Sequence, residues 1–409
     1  MTSSKPKHTK RRVYTSAFIL CLIALYVALC LLLPIKSLRA LANTSALKIN
    51  TPVGNLPWPN YGESAVGIVG EGVIQSHGSQ TPKPTASVAK LVTALSVLKK
   101  YPLSLGEQGP MITITQTDYN YYVNYVAEQG SVVPVYQGEQ LSEYQMLEAM
   151  LIPSGNNIAD ALASWAYGSL SSYDSFANNY VKQLGLDSTT IGGDASGFLP
   201  STTSTADDMI KLGSLAMENT VIAHIVAKKT VVVPNVGVMD NYDNILGQNA
   251  IIGIKTGNSN QAGGVFLGAA IATVGSQKVT VLTAIMGAPH LSDALKDTVP
   301  LVISLENDFN QTILVSKGEV LGEFKEPWGG VVQIGASKNL VEYLLQGQQV
   351  KANLGINHLH IPSTAGTYIG TITAHQSQLD KSISVPVVTL DSTSSPTWYW
   401  RILHPWQII

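Results

Sequence analysis

The sequence predicts a mixed α/β body followed by a small all-β domain, behind one N-terminal apolar helix. Three observations predict it. An uncharged apolar run opens the chain, from Val13 to Leu33. Helix-like periodicity then dominates the middle of the chain, between early and late runs of strand-like residues. After about residue 311 the helical period fades, and short β-like runs between turns remain.

Each element has its own signal. Lys5, Lys7, Lys10, Arg11 and Arg12 precede the apolar run, and no acidic residue occurs before Glu63. The run is long enough to span a bilayer as a helix. Cations on its N-terminal side favour a cytoplasmic N-terminus, with everything after the span exported. Ala40-Leu41-Ala42 has the small-x-small form of a signal-peptidase site, yet the run is long for a signal peptide. The reading favours an uncleaved anchor. Residues 35–60 carry Pro52, Pro57 and Pro59 without clear periodicity, and read as a linker or wrapping arm.

"AVGIVGEGVIQSHG" reads as two strands joined by a Gly-Glu-Gly turn. Val88, Leu91, Val92, Leu95 and Leu98 form a helical stripe that begins just after Pro84 and Thr85. "LSEYQMLEAMLIPSGNNIADALASWA" reads as two helices parted at Pro153-Ser154-Gly155. "TADDMIKLGSLAM" is a helix whose early acids suit its dipole. Residues 230–286 hold the strand-like runs "TVVVP", "IIGIKTG", "GGVFLGAAIATVG" and "KVTVLTAIMG", and "LSDALKDTVPLVISLENDFN" is a helix closing this region. Strands of the small β domain follow in "TILVSKGEVLGEF", "GGVVQIGA", "TYIGTITAH" and "ISVPVVTL". The expected organisation is therefore a basic tail at 1–12, a transmembrane anchor at 13–34, a linker at 35–60, a catalytic domain at 61–310, a β domain at 311–391 and an aromatic tail at 392–409. That tail holds three of the six tryptophans. It either lies at a membrane interface or packs on the β domain.

Composition narrows the function. The chain of 409 residues is 45% hydrophobic and 13% charged, so it folds around a sizeable core. A net charge of −2 argues against nucleic acid as a partner. Both cysteines, Cys21 and Cys30, lie in the apolar run, and no Cys/His pattern suggests a metal or redox centre.

Ser-x-x-Lys occurs four times, starting at Ser4, Ser45, Ser87 and Ser96. Spacing alone does not separate them. Ser4 falls in the basic tail, Ser45 in the linker, and Ser96 deep in a helix. Only Ser87 opens a helix, with Ser154-Gly155-Asn156 and then Lys255-Thr256-Gly257 downstream. A serine hydroxyl needs a base to become a nucleophile. Residue i+3 lies on the same helix face as i, so Lys90 can approach Ser87. To act as base Lys90 must be neutral, which burial and a second cation, Lys255, both favour. At a helix start the Ser87 N–H is free to serve as half of an oxyanion hole.

These three motifs in this order are the signature of penicillin-binding proteins and class A β-lactamases. With their flanks "TASVAKLVTAL", "LIPSGNNIADALA", "DASGFLPSTTSTADDM" and "GIKTGNSNQAGGVFLGAA", the chain resembles the D-alanyl-D-alanine carboxypeptidase family of low-molecular-weight penicillin-binding proteins over roughly residues 62–290. The resemblance implies a DD-peptidase-like catalytic domain, an antiparallel sheet with a helical subdomain. It implies Ser87, Lys90 and Ser154 as catalytic residues. It implies Asn156, Lys255, Thr256, Gly257 and Asn258 as the substrate-binding set. In that scheme Lys255 and Thr256 hold the terminal carboxylate of a stem peptide ending in D-Ala-D-Ala, Asn156 pairs with a substrate amide, and Asn258 supplies the second oxyanion donor. β-Lactams would acylate Ser87, and no cofactor is needed.

Three readings stay open at this level. A β-lactamase on the same fold is one, although residues 160–200 contain no glutamate for a deacylating water. Endopeptidase or transpeptidase preference is another, and a catalytically silent wall-binding scaffold is the third. The family pattern is broken at Asn258, where an aromatic residue or His is usual, and at Gly263-Gly264, where a bulkier residue is common. Tyr119 to Tyr125 form either a packing surface or part of a groove.

Overall fold

The computed structural model describes residues 7–42, 47–50, 54–274, 277–346, 349–376 and 381–408. Among them the helices are α1 (Lys7–Leu32), α2 (Lys90–Lys100), α3 (Gln116–Ala127), α4 (Glu143–Leu151), α5 (Asn156–Tyr167), α6 (Leu170–Gln183), α7 (Ala206–Glu218), α8 (Thr220–Val226), α9 (Leu291–Asn307) and α10 (Trp398–Leu403).

The body is organised by a five-stranded antiparallel sheet. Its order is Ile251–Ser259, Gly263–Val274, Gln277–Ala288, Glu63–Ile68, Gly72–His77. Alternation sorts its side chains by face. Ala65, Leu267, Leu282, Ala284 and Met286 point into one core, shared with α2, α4, α5 and α7. Val66, Phe266, Val281 and Ile285 point into the other, against Leu295, Leu301 and Leu305 of α9. A sheet buried on both faces explains why its central strands read as nearly continuous apolar runs.

The expected Gly-Glu-Gly turn joins the two early strands, and the expected break at Pro153-Ser154-Gly155 separates α4 from α5. Capping fixes the helix starts. Ser142 accepts from the Gln145 N–H while Gln145 returns a bond to the Ser142 N–H, closing a capping box on α4.

The all-β part has its own core of Phe324, Ile334, Leu354, Ile372 and Val387. Its first strand, Phe309–Val315, begins directly after α9 and pairs with Leu340–Leu345. Its main sheet has seven strands in the order Ala40–Ala42, Val320–Lys325, Val331–Ala336, Lys381–Thr389, Tyr368–Gln376, Gln349–Ile356, Leu47–Asn50. Of the two readings of residues 35–60, linker or wrapping arm, the strands fit the arm, which supplies both edge strands. Ala40 lies opposite Phe324, and Leu47 lies opposite Ala352. Strands of three and four residues are too short to show a period, so the reading passed over them. The strands at Leu340–Leu345 and Gln349–Ile356 were also passed over.

Helix α1 carries an apolar segment, Arg11–Leu32, long and apolar enough to cross a membrane, and it stands almost wholly exposed. At its end it meets α10. Tyr26 Oη donates to Ile402 O at 2.6 Å, and Arg401 Nε donates to Cys30 O at 2.7 Å. Trp400 packs edge-on against Trp328 of the β domain. The aromatic tail thus touches both the apolar helix and the β domain.

Candidate active site

Ser87 lies on a short 3-10 turn, Ala86–Ala89, that runs straight into α2. The turn is held from behind. Lys83–Pro84 pairs with Thr203–Ser204, and the Thr85 N–H donates to Thr202 O. Ala86 adopts φ 45°, a left-handed conformation costly for a residue with a Cβ. Such strain immediately before Ser87 persists only because the surroundings hold it. Ser87 is half-buried and Lys90 is fully buried.

Three groups converge on Lys90 Nζ. Ser87 Oγ lies at 2.8 Å, Asn156 Oδ1 at 2.7 Å and Ser196 O at 3.1 Å. Two of these are pure acceptors. A neutral amine has two N–H groups and one lone pair, so donation to Asn156 and Ser196 leaves the lone pair facing the Ser87 hydroxyl. Burial pushes the Lys90 pKa well below its ordinary value, and the neighbouring Lys255 pushes it further; Asp194 and Asp160 pull the other way.

Lys255 is buried on the strand Ile251–Ser259, and its Nζ donates to Ser154 Oγ at 3.0 Å and to Thr256 O at 3.2 Å. Burial lowers its pKa to about 7, with Asp243 opposing. Ser154 sits at φ 61° in the α4–α5 break, which turns its hydroxyl toward Lys255. Gly257 shows why that position is a glycine. A Cβ there would lie 2.9 Å from Thr85 O and 3.3 Å from Ser87 N. The strand therefore runs against the Ser87 turn and brings Lys255, Thr256 and Gly257 beside it. Asn258 follows at the exposed end of the strand.

The structure thus gathers all eight sequence-predicted residues along one seam between the sheet edge and the helices. It adds a contact at Asn156: its Oδ1 accepts from Lys90 Nζ at 2.7 Å, so this side chain also orients the amine. It also explains Gly263 and Gly264. A Cβ on Gly263 would lie 2.3 Å from Ala288 O, and one on Gly264 would lie 2.3 Å from His290 O. Backbone approach, not substrate, excludes bulk there.

The other Ser-x-x-Lys copies separate cleanly. Ser96 is buried mid-helix with its hydroxyl unpartnered, and its Lys99 faces solvent. Ser4 and Ser45 lie outside the described residues.

Sequence reasoning missed the supports behind Lys90. Asp194 Oδ1 accepts from the Ser196 and Phe198 N–H groups and from Ser196 Oγ, and Oδ2 accepts from Leu199 N–H. Asp160 Oδ1 accepts from Ala195 N–H at 2.9 Å, and Oδ2 from Tyr125 Oη at 2.8 Å. Burial, then the proximity of Asp194, raises Asp160 to about 7. Together they shape the loop that presents Ser196 O to Lys90. "DASGFLP" was visible as a motif, but its acid had no assigned role. Tyr125 and Tyr121, bonded to Asp160 and Ser164, support the packing reading of the tyrosine cluster.

Comparison with known proteins gives the family. The family model described as D-alanyl-D-alanine carboxypeptidase matches residues 68–290, more than half of the chain. D-alanyl-D-alanine carboxypeptidase DacA of Escherichia coli is 26% identical over 406 residues, covering 95% of this chain and 96% of that protein. DacB2 of Mycobacterium tuberculosis is 29% identical over 229 residues, covering 54% of this chain and 74% of its own. Penicillin-binding protein 5 of Haemophilus influenzae superposes with a TM-score of 0.55 at 20% identity, covering 88% of this chain and all of that one. The Streptomyces K15 DD-transpeptidase superposes with a TM-score of 0.53 at 24% identity, covering 61% of this chain and 98% of its own.

Proposed function

This chain belongs to the D-alanyl-D-alanine carboxypeptidase family, and we propose that it removes the terminal D-alanine from peptidoglycan stem peptides through an acyl-enzyme on Ser87. One observation carries the assignment of roles: the 2.8 Å approach of a buried Lys90 amine to Ser87 Oγ, with both amine donors already spent on Asn156 and Ser196.

The reaction follows from that arrangement. Lys90 takes the proton of Ser87 Oγ as the oxygen attacks the carbonyl of the penultimate D-alanine. The Ser87 and Asn258 N–H groups face the developing oxyanion. Lys255 and Thr256 pair with the substrate's terminal carboxylate, a charge-assisted contact. Asn156 Nδ2 donates to a substrate amide oxygen, and Gly257 keeps the strand close enough for the peptide to lie along it. Ser154 gives its proton to the departing amine and is resupplied from Lys90 or Lys255. D-Alanine leaves, and water hydrolyses the ester. β-Lactams present a similar carbonyl and carboxylate and acylate the same serine.

A β-lactamase role has less support. Among the described residues no glutamate hydrogen-bonds to Ser87, Lys90 or Ser154. The same reading makes residues 61–310 the catalytic domain and 311–391 the β domain. It makes α1 a single-span anchor with the body on the exported side, consistent with bacterial cell-wall relatives.

The test is covalent labelling of the full chain with a fluorescent penicillin, followed by assay of D-alanine release from a pentapeptide ending in D-Ala-D-Ala. Ser87→Ala abolishes both signals, and Ser96→Ala keeps both. Labelling that persists in Ser87→Ala refutes the assignment, and rapid drug turnover would indicate a lactamase.

A further inference from the structure

The proposed reaction turns a buried amine into a buried cation. As Ser87 Oγ bonds to the carbonyl carbon, its proton moves to the lone pair of Lys90, and an ammonium forms on a fully buried side chain. A charge in such a place needs an opposite charge near it. Among the described residues no carboxylate is paired with Lys90. Its hydrogen-bonding neighbours are neutral oxygens, and Lys255 disfavours its charged form.

Two acids stand one layer behind. Asp160 lies four residues after Asn156 on α5, so one face of that helix gives Asn156 Oδ1 to Lys90 and Asp160 to the neighbouring loop. That loop presents Ser196 O to the amine, and the acids hold consecutive residues of it. Asp160 Oδ1 accepts from Ala195 N–H, and Asp194 Oδ1 accepts from Ser196 N–H. Helix α2 holds the same loop: Thr93, one turn after Lys90, donates to Ala195 O at 2.6 Å. A Cβ on Gly197 would run into Ala86 O, so the loop also lies against the Ser87 turn.

The charged and titratable groups facing Asp160 are Lys90 from α2, Tyr125 from α3, Tyr173 from α6 and Asp194 from the loop. Asp194 accepts four hydrogen bonds, as an ionised carboxylate does. Two buried carboxylates side by side oppose each other's charge unless a cation joins them. Asp160 is accordingly raised to about 7, by burial and then by Asp194. The acylation step supplies the cation.

We propose that Asp160, together with Asp194, is the countercharge for the ammonium formed on Lys90 during acylation of Ser87, a positioning pair that holds the amine through Ser196 and stabilises its charged form through space. This deepens the reading of Lys90 as base and rests on it.

The test is the rate of acylation of the full chain by a fluorescent penicillin from pH 5 to 9.5. Its acid limb reports the free enzyme losing the protons that block the reaction. Asp160→Asn keeps an oxygen for Ala195 N–H and removes the charge. Its plateau falls about tenfold or more. Its acid limb moves about half a unit or more toward lower pH, because an ammonium without that neighbour loses its proton more readily. Tyr125→Phe works in the opposite direction. It keeps the carboxylate but removes the O–H that Asp160 Oδ2 accepts, so Asp160 ionises at higher pH and the acid limb moves up. Asp160→Glu, which restores the charge, returns the limb toward that of the unaltered chain. Acid limbs that stay in place in Asp160→Asn and Tyr125→Phe, whatever the rate, overturn the proposal, and Tyr125→Phe alone decides where Asp160→Asn fails to fold. An unaltered chain that takes up no penicillin overturns the reading of Ser87 and Lys90 itself, and the proposal with it.

Discussion

In the proposed reaction, Lys255 makes the pH dependence of this enzyme depend on the substrate's own charge. Its pKa is lowered to about 7 by burial, so about half of the free enzyme carries the cation at pH 7, about a tenth at pH 8 and about a hundredth at pH 9. Only the charged form gives a charge-assisted bond to the terminal carboxylate, an interaction of about 1.5–3 kcal/mol or roughly 10–150-fold. The perturbation is made on the substrate, leaving the protein intact: one peptide ends in D-alanine, its twin in D-alaninamide. The assay is kcat/KM for each by release of the last residue, from pH 5.5 to 9.5. At pH 6 the acid exceeds the amide by roughly 10–150-fold. Above pH 7 that ratio falls about tenfold per unit until it levels off, because kcat/KM reports the ionisation of free enzyme. Lys90, held below its ordinary value by burial and by Lys255, acts on both peptides alike and so cancels from the ratio. A ratio constant from pH 6 to 9 refutes a Lys255 of lowered pKa as the carboxylate's partner.

Two further outcomes test a buried carboxylate on α4 and the close approach at Gly257. Glu143 is buried with both carboxylate oxygens unpartnered, and burial raises its pKa to about 7. An acid with a raised folded pKa costs nothing below its unfolded pKa; the cost grows from about pH 4.5 to 7 and is full above it. Glu143→Leu therefore gains about 2–3 kcal/mol more at pH 8 than at pH 4.5 in urea unfolding, and a gain independent of pH contradicts the raised pKa. Gly257→Ala forces a methyl to 2.9 Å from Thr85 O and disturbs the Ser87 turn. It slows penicillin acylation at least tenfold with little change in urea midpoint, and an unaltered acylation rate refutes the close approach.

What the sequence could reveal depended on distance along the chain. Ser87 and Lys90 were legible because a helical turn fixes their relation locally. Ser154 and Lys255 were legible as motifs, although their 3.0 Å contact joins positions 101 residues apart. The Asp160–Tyr125 pair and the Asp194 loop were not, because nothing local distinguishes a carboxylate that will be buried from one on a solvated face. Asn156 was expected to pair with a substrate amide, and only the fold reveals that its Oδ1 also accepts from Lys90. In the arm, Ala40–Ala42 looked like a cleavage signal or linker because its partner strand begins at Val320. Length and composition did identify the opening apolar helix.

The arm's position on both edges of the β sheet dictates an order of assembly. Ala40–Ala42 and Leu47–Asn50 leave the ribosome early, but their partners at Val320–Lys325 and Gln349–Ile356 follow some hundreds of residues later. Arg401, which closes the end of α1, arrives later still. In a chain made from its N-terminus, the catalytic body has its whole sequence in hand before the arm has anything to pair with. The early strands wait as open edges until their partners, made much later, reach them. The loop between the arm strands and their partners encloses the catalytic body. A chain cut short after residue 310 keeps Ser87, Lys90, Ser154 and Lys255 but leaves both arm strands without neighbours.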